Sequence, residues 1–353
     1  MDLLKWIFNL LMVLVIITSL YLHYCGKHEM MRSEMTDRFK LLNCMKLRQR
    51  FSNITLAKSI DVMNVTRYLS ALMSCPHVSN KTKKDLNRLM LRLCCNATDS
   101  LYLTKKNTAL NQSITYETSN RVYKVEAALH KILPEDFLWS SRGHLGRCAV
   151  VGNGGILKNS SCGREIDSAD FVIRLNLAPI NDSDVGLKSD LVTVNPSQLS
   201  AENMAANPGP LVGRVSVYGN APLIIPAFAY TVCTAVSIKT LQVLQTLRPQ
   251  QPVVFFSPYY LKSLDRFWKR KGLKAKRLST GFMLVNTALE LCDDVRLYGF
   301  WPFDVNLKQQ ILQHHYYDNK PPNLHIHAMP EEFFQLLQLH SQGALTLQLQ
   351  PCL

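Results

Sequence analysis

The chain has 353 residues, of which 40 are Lys or Arg and 26 are Asp or Glu, for a formal net charge of +14. Its share of hydrophobic residues excludes a disordered polymer and suits one sizeable core with an appendage. The positive balance favours anionic partners: nucleic acid, lipid head groups, nucleotides or acidic sugars.

Residues 6–25, WIFNLLMVLVIITSLYLHYC, are uncharged and mostly apolar over the length a helix needs to cross hydrocarbon. The run exceeds an ordinary signal-peptide core and no small-residue cleavage site follows it. A transmembrane anchor is therefore expected, with residues 1–5 as a cytosolic tail. Lys5 before the span and Lys27 and Arg32 after it leave the orientation unsettled by charge. The Asn-x-Ser/Thr sites decide it. They occur at Asn53, Asn64, Asn80, Asn96, Asn111, Asn159 and Asn181, and their clustering soon after the anchor is the pattern of a glycosylated lumenal stalk. Nucleic acid then drops out as a partner. Ten cysteines in such a compartment should mostly be bridged. The adjacent Cys94 and Cys95 are not expected to pair with each other, and Cys25 sits at the membrane boundary, free or palmitoylated.

Residues 26–80 read as a polar stem with helical stretches such as SIDVMNVTRYLSALM. From about residue 140 the texture changes. Short apolar strands are predicted at 148–152, 170–175, 190–194, 222–226, 252–256 and 295–299, each bounded by Gly, Pro, Asn or Ser. Helix-length segments lie between several of them, including 258–272 and 279–292. This alternation predicts a largely parallel sheet with helices on both faces.

Within that region, CAVVGNGGILKNSSCG at 148–163 is an apolar strand running into a glycine turn. Such a turn lets backbone amides approach a phosphate. The spacing is G-x-G-G rather than G-x-G-x-x-G, and no acidic residue follows in strand context, so a dinucleotide is disfavoured. A ligand-free turn remains the alternative. Ser279, Thr280 and Gly281 open a helix, where free amides favour an anion, although an N-cap alone explains the serine. The basic run KRKGLKAKR at 269–277 reads as a solvated helix end or as an attractor for acidic substrates.

HHYYDNKPPNLHIHAMPEE at 314–332 gathers His314, His315, His325 and His327 around Asp318. Their spacing matches neither H-E-x-x-H nor a Cys/His finger, and prolines interrupt the helix such motifs need. A general base and a phosphate donor use two histidines without a metal. Asp182-Ser183-Asp184 has the spacing of a D-x-D cation site, but it lies within the sequon at Asn181.

Taken together, these segments resemble the animal sialyltransferase family. The stretch from Cys148 to Pro196 is similar to its large motif, RLSTGFMLVNTALELCDDVRLYGFWPF to the small one, HHYYDN to the third and HAMPEE to the very small one. Their details resemble the α2,8-sialyltransferase branch. The upstream CCNATDSLYLTKKNTALNQSITYE leans towards the type VI kind, which extends sialylated O-glycans, and ganglioside-acting relatives stay close. The absence of an extended basic tract before Cys148 disfavours long polysialic acid.

The resemblance implies a GT-A-like, Rossmann-type α/β catalytic domain over 81–353, anchored as a single-pass type II protein of the Golgi membrane with that domain lumenal. It implies transfer of sialic acid from CMP-sialic acid, without cofactor or metal, to the 8-hydroxyl of a terminal sialic acid on O-glycans or gangliosides, and it leaves homo-oligomers open. By position, Asn153 and Asn176 would contact the CMP portion, and Ser279, Thr280 and Gly281 the phosphate and carboxylate region. Trp301 would line the nucleotide pocket, His315 would hydrogen-bond the departing phosphate and His327 would be the general base. The family's bridges would join Cys148 to Cys292 and Cys162 to Cys352. Two features depart from the pattern: Leu175 stands where many relatives have cysteine, with an extra Cys233 elsewhere, and the loop at 198–222 is unlike the family's usual sequence. The rival readings are a metal-dependent glycosyltransferase and a non-catalytic, membrane-anchored lectin for sialic acid.

Overall fold

The computed structural model describes residues 2–54, 62–140, 143–199, 207–320 and 326–352. The chain falls into two compact units, Met1–Arg50 and Phe51–Leu353. Helix α1 (Asp2–Ser52) supplies the first up to Arg50, and its segment Lys5–Tyr24, with mean hydropathy 2.0, is long and apolar enough to cross a membrane. The second unit takes in residues 51–80, part of the stretch read above as stem.

That unit begins with helices α2 (Val62–Met73), α3 (Lys81–Cys94) and α4 (Ala97–Ser100). An antiparallel hairpin of β1 (Ser113–Thr115) and β2 (Val122–Lys124) and a short helix α5 (Ala127–Ile132) follow. Then strands and helices alternate: β3 (Arg147–Val151), α6 (Gly163–Asp167), β4 (Phe171–Arg174), β5 (Leu191–Thr193), α7 (Gly209–Ser216), β6 (Leu223–Ile225), α8 (Thr231–Leu247) and β7 (Val253–Phe255). The chain closes with α9 (Pro258–Arg270), α10 (Thr280–Leu291), β8 (Asp294–Tyr298), α11 (Met329–Ser341) and β9 (Thr346–Gln348).

The main sheet has the order β7-β6-β5-β4-β3-β8-β9, and all its pairings are parallel. Its strands are short runs of Val, Ile, Leu and Phe, and β4, β5, β6 and β7 are buried at every position. Continuous apolar runs, rather than alternating ones, are what a sheet covered on both faces requires. Each of the six predicted strands lies within about one residue of an observed one.

The chain pairs β3 with β4, continues outward to β7, and then returns to place β8 on the other side of β3. Loops leaving the carboxyl ends of β3 and β8 therefore diverge at this reversal and leave a crevice, the usual ligand position in open α/β sheets.

Helix α10 is the centre of the core. Its sequence TGFMLVNTALEL is apolar around most of its circumference, and residues Gly281 to Leu291 are all buried. The polar groups it carries inward are paired. Asn286 Oδ1 accepts from the Trp268 indole N–H at 2.9 Å, and the Thr287 and Tyr260 hydroxyls meet at 2.9 Å. Glu290, 4% exposed, accepts from the amides of Ala97 and Thr98 and from the Thr98 hydroxyl, which holds α4 in place.

Cys148 in β3 is bonded to Cys292 at the end of α10, and Cys162 ahead of α6 is bonded to Cys352 near the carboxyl terminus. Cys233 is a free thiol, and Cys44 and Cys75 are disulfide-bonded. The side chain of Cys25 lies outside the described residues. One expectation is corrected: Cys94 and Cys95 are bonded to each other. The helix ends there, and the non-helical φ of −136° and ψ of −37° at Cys95 turn the second sulfur back towards the first.

The bridge across 144 residues of sequence removes loop entropy from the unfolded chain worth roughly 4 to 5 kcal/mol on the chain-entropy model. The double variant Cys148→Ser/Cys292→Ser should lose about 2 to 5 kcal/mol of unfolding free energy by denaturant titration. A loss below about 0.5 kcal/mol would show that the bridge is not a stability element.

Candidate active site

A cleft of about 430 Å³ opens at the carboxyl ends of β3, β4 and β8. Asn153, Asn176, Ser279, Thr280, Gly281, Trp301, His315 and His327 all line it. Sequence positions more than 170 residues apart thus converge in one place. A larger cavity of about 740 Å³ lies elsewhere and contains none of these residues, so the convergence of chemistry, not size, marks the smaller one as the site.

The glycine turn after β3 is built differently from a phosphate cradle. The Gly152 amide donates to Tyr298 O, that of Gly154 to Gly299 O and that of Gly155 to His314 O. All three N–H groups are therefore engaged by protein carbonyls. The glycines are required by close backbone packing instead: a Cβ on Gly152 or Gly154 would lie 2.6 Å from Gly299 O, and one on Gly155 would lie 1.9 Å from Gln313 O. Tyr316 N also donates to Asn153 O at 3.1 Å, so the segment 313–316 is laid directly on the turn. This contact carries His315 to the end of β3.

His315 Nδ1 donates to Asp318 Oδ1 at 2.7 Å, and its ring stacks on Tyr317 with centroids 5.1 Å apart and planes within 3°. Burial raises the Asp318 carboxyl, but the hydrogen bonds from His315 and the Lys320 amide outweigh it and hold the group below the usual carboxylate range.

His327 is half-buried and its Nδ1 lies 2.9 Å from Arg277 O. A carbonyl only accepts, so Nδ1 carries the hydrogen and Nε2 presents its lone pair. Burial pushes the imidazole below its ordinary value, against the opposing effect of the Arg277 carbonyl. The Arg277 backbone is itself held: its N–H donates to Ile326 O, and its guanidinium binds both oxygens of Glu117 at 2.8 and 2.9 Å. Both side chains of that ion pair are nearly buried, 12% and 5% exposed. Arg277 therefore belongs to the interior and not to a solvated basic run. Glu117 lies in the turn between β1 and β2, at the end of the upstream stretch quoted for its branch resemblance but outside every residue given a role there, and no local signal announces its partner.

At the start of α10, Ser279 is the N-cap, accepting from Phe282 N through its hydroxyl. Its own N–H donates to Glu332 Oε1 at 2.7 Å. The next amides, of Thr280 and Gly281, have no protein acceptor among the described residues, and both residues line the cleft. They supply the positive end of a twelve-residue helix to an anion. Phe300 and Leu175 would lie 3.0 and 3.2 Å from a Cβ at Gly281, which accounts for glycine there. Leu175, the departure from the family pattern, is thus packed against this helix start.

Asn176 adopts φ +57°, and its Oδ1 accepts from the Thr193 hydroxyl, which accepts in turn from Asn176 N. Asn153 Nδ2 lies 3.4 Å from Leu175 O. The Trp301 indole N–H donates to Val305 O, while the ring packs edge-on against Phe303 and Phe333. Only its ring surface is left for a ligand.

Among the described residues, no group of three His, Cys, Asp or Glu side chains is arranged to hold a metal ion. Asp184 is engaged in structure: it accepts from the amides of Asn159 and Ser161. His325 and residues 200–206 of the unusual loop lie outside the described residues; α7 occupies much of the remainder of that loop.

The family model for glycosyltransferase family 29 (sialyltransferase) matches residues 97–344. The chain is similar to the human protein named alpha-2,8-sialyltransferase 8E, at 40% identity over 88% of this chain and 84% of that one. It is similar to the bovine alpha-N-acetylneuraminide alpha-2,8-sialyltransferase at 42% identity over 77% and 78%, and to the mouse alpha-2,8-sialyltransferase 8F at 41% over 80% and 73%. A solved mammalian sialyltransferase in complex with Gal-beta-1-3GalNAc-ortho-nitrophenol is 21% identical, with a TM-score of 0.42, covering 84% of this chain and 99% of that one.

Glu332 gives this site a pH signature. It is 3% exposed, and burial, partly offset by the hydrogen bonds from Ser279, pushes its carboxyl up to about 7. Between its ordinary value near 4.5 and about 7, the folded protein keeps a proton that the unfolded chain releases. Stability from this group is therefore complete below about pH 4.5 and is lost as pH rises through 7, by an amount of order 3 kcal/mol. Denaturant midpoints measured from pH 4.5 to 7.5 should fall less steeply in Glu332→Gln, which keeps the acceptor for Ser279 N–H. An identical slope in parent and variant would rule out the buried proton.

Proposed function

Because the chain belongs to glycosyltransferase family 29, the sialyltransferases, we propose that it transfers sialic acid from CMP-sialic acid to the 8-hydroxyl of a terminal sialic acid on a glycoconjugate. The names of its relatives support the α2,8 linkage. The observation that carries the reading is the pair of histidines in one cleft, each with Nδ1 engaged by the protein, beside a helix start with two amides free.

In this reading, the acceptor 8-hydroxyl attacks the anomeric carbon of the donor sialic acid as the bond from that carbon to the phosphate oxygen breaks. His327 Nε2 takes the hydroxyl proton, and the configuration at the anomeric carbon inverts. The electron pair leaves with CMP. Its phosphate meets the Thr280 and Gly281 amides and His315, preorganised donors where negative charge develops. When His315 donates through Nε2 while Nδ1–H is given to Asp318, the ring carries a positive charge, and the Asp318 carboxylate balances it. These donors supply what a divalent ion would otherwise supply, so the proposed reaction proceeds in EDTA.

Asn153 and Asn176 would bind the nucleotide, with the Trp301 ring closing the pocket. The acceptors are sialylated O-glycans of glycoproteins, gangliosides or both. The apolar segment of α1 serves as a type II anchor in the Golgi membrane, with the second unit lumenal and its exposed sequons open to glycosylation.

The test is transfer by the full chain in detergent, with EDTA, from CMP-sialic acid to a sialylated O-glycoprotein and to a monosialyl ganglioside, with linkage analysis of the product. An α2,8-linked disialyl product is expected, and folded His327→Ala should lose about 10² to 10⁴ in rate. Product formation only after addition of a divalent ion, or near-parent turnover in the variant, would refute the mechanism.

A further inference from the structure

A second cavity, of about 740 Å³, lies where β7 leads into α9 and is closed by β1 and the chain ahead of it. Its volume is within the range of about 300 to 1,000 Å³ typical of small-molecule sites. Nothing in the proposed reaction uses it. Helix α9 places Tyr259, Lys262 and Arg266 at spacings of three and four residues, hence on one face, and all three line the cavity. Tyr259 is 65% exposed. Lys262 and Arg266 have no carboxylate partner among the described residues, since the nearby Asp265 is held through Oδ2 by Lys269 at 2.7 Å. Asp265 Oδ1 is buried and receives no hydrogen bond. Across the cavity, β1 presents the hydroxyls of Ser113 and Thr115, both exposed, on the face opposite the buried Ile114.

These groups define one ligand chemistry. Lys262 and Arg266, the latter donating to Lys262 O and Ser263 Oγ, have no counter-charge among the described residues and call for a carboxylate or another anion. An exposed tyrosine ring beside hydroxyls suits the apolar face of a sugar. We propose that this cavity binds an acidic oligosaccharide of the sialylated kind, at a site separate from the reaction centre. The choice of sialic acid as the acidic sugar rests on the sialyl-transfer reading; the site itself does not.

The cavity lies at the carboxyl end of β7, four strand positions from β3 and so roughly 19 Å along the same rim of the sheet as the active cleft. A branched or multiply glycosylated acceptor held here by one chain presents another to the reaction at raised effective concentration. A second source has the same chemistry. The sequon at Asn111, exposed and at φ +65°, directly precedes Gln112 and Ser113 in the cavity wall, so a glycan on this chain would start at its rim.

The experiment is photocrosslinking of the full chain in detergent with a diazirine-bearing disialyl lactoside, followed by peptide mapping. Parent, Asn111→Gln and Lys262→Ala/Arg266→Ala proteins are compared. Label within 257–270 or 109–116 is expected, falling at least fivefold in the double variant. Label in both parent and Asn111→Gln identifies an external glycan as the occupant; label appearing only in Asn111→Gln identifies the chain's own. The double variant should keep its KM for a short sialylated acceptor within about twofold. For a multiply sialylated glycoprotein, its KM should rise at least fivefold when the occupant is external. Label confined to the active cleft in both parent and Asn111→Gln, or cavity label that does not fall when Lys262→Ala/Arg266→Ala is added to whichever of these two proteins shows it, overturns the proposal. Label at α9 in a protein that transfers no sialic acid would refute the transfer reading alone.

Discussion

The architecture of the site depends on one close approach of backbone to backbone. Around Gly152, Gly154 and Gly155 the chain leaving β3 touches Gly299 after β8 and the segment 313–316, at distances that no side chain on those glycines would permit. Four amide hydrogen bonds, that of Tyr316 N to Asn153 O included, close the contact. It moves His315 from a loop far along the sequence to the reversal point of the sheet, and the Cys148–Cys292 bridge fixes the strand beneath it to the buried helix α10. Without this packing, the crevice that every open α/β sheet offers would lack His315.

The second half of the site is assembled around the start of α10. Within a few residues, Arg277 O orients His327, Ser279 N–H meets Glu332 at the start of α11, and the Thr280 and Gly281 amides face the cleft. The Arg277–Glu117 pair anchors this segment to the β1–β2 turn. Breaking one partner of so buried a pair leaves a charge without compensation, so it constrains position more than it adds stability. His327, the Thr280 and Gly281 amides and the buried Glu332 are thereby tied to one short stretch of chain.

Much of this was legible in the sequence. Six of the seven strands of the main sheet are visible because a doubly covered parallel sheet needs continuous apolar runs, and the apolar segment of α1 because its length and composition are those that hydrocarbon would require. The cleft residues were legible through motif resemblance, since composition alone could not bring Asn153 to His327. What escaped notice depends on tertiary packing. β9 is a three-residue strand without a distinct pattern, and β1 and β2 lie in a polar hairpin. The pairing of Cys94 with Cys95 depends on the backbone geometry of a helix end. The glycine turn looked like a phosphate cradle because spacing reveals that Cβ is absent, not which neighbour requires its absence. Glu117 and Glu332 each act through a partner distant in sequence.

The central claim is that His327 sits neutral, with Nδ1–H bound to the Arg277 carbonyl and Nε2 free to take the acceptor proton. Nitrogen-15 NMR of histidine-labelled protein, set beside the pH dependence of kcat/KM, tests it most directly. The account predicts that His327 is the Nδ1–H tautomer, titrates below the ordinary imidazole value of about 6.5, and matches the acid limb of the rate profile. A His327 that titrates above that value, holds its proton on Nε2, or has no counterpart in the rate profile would contradict the assignment.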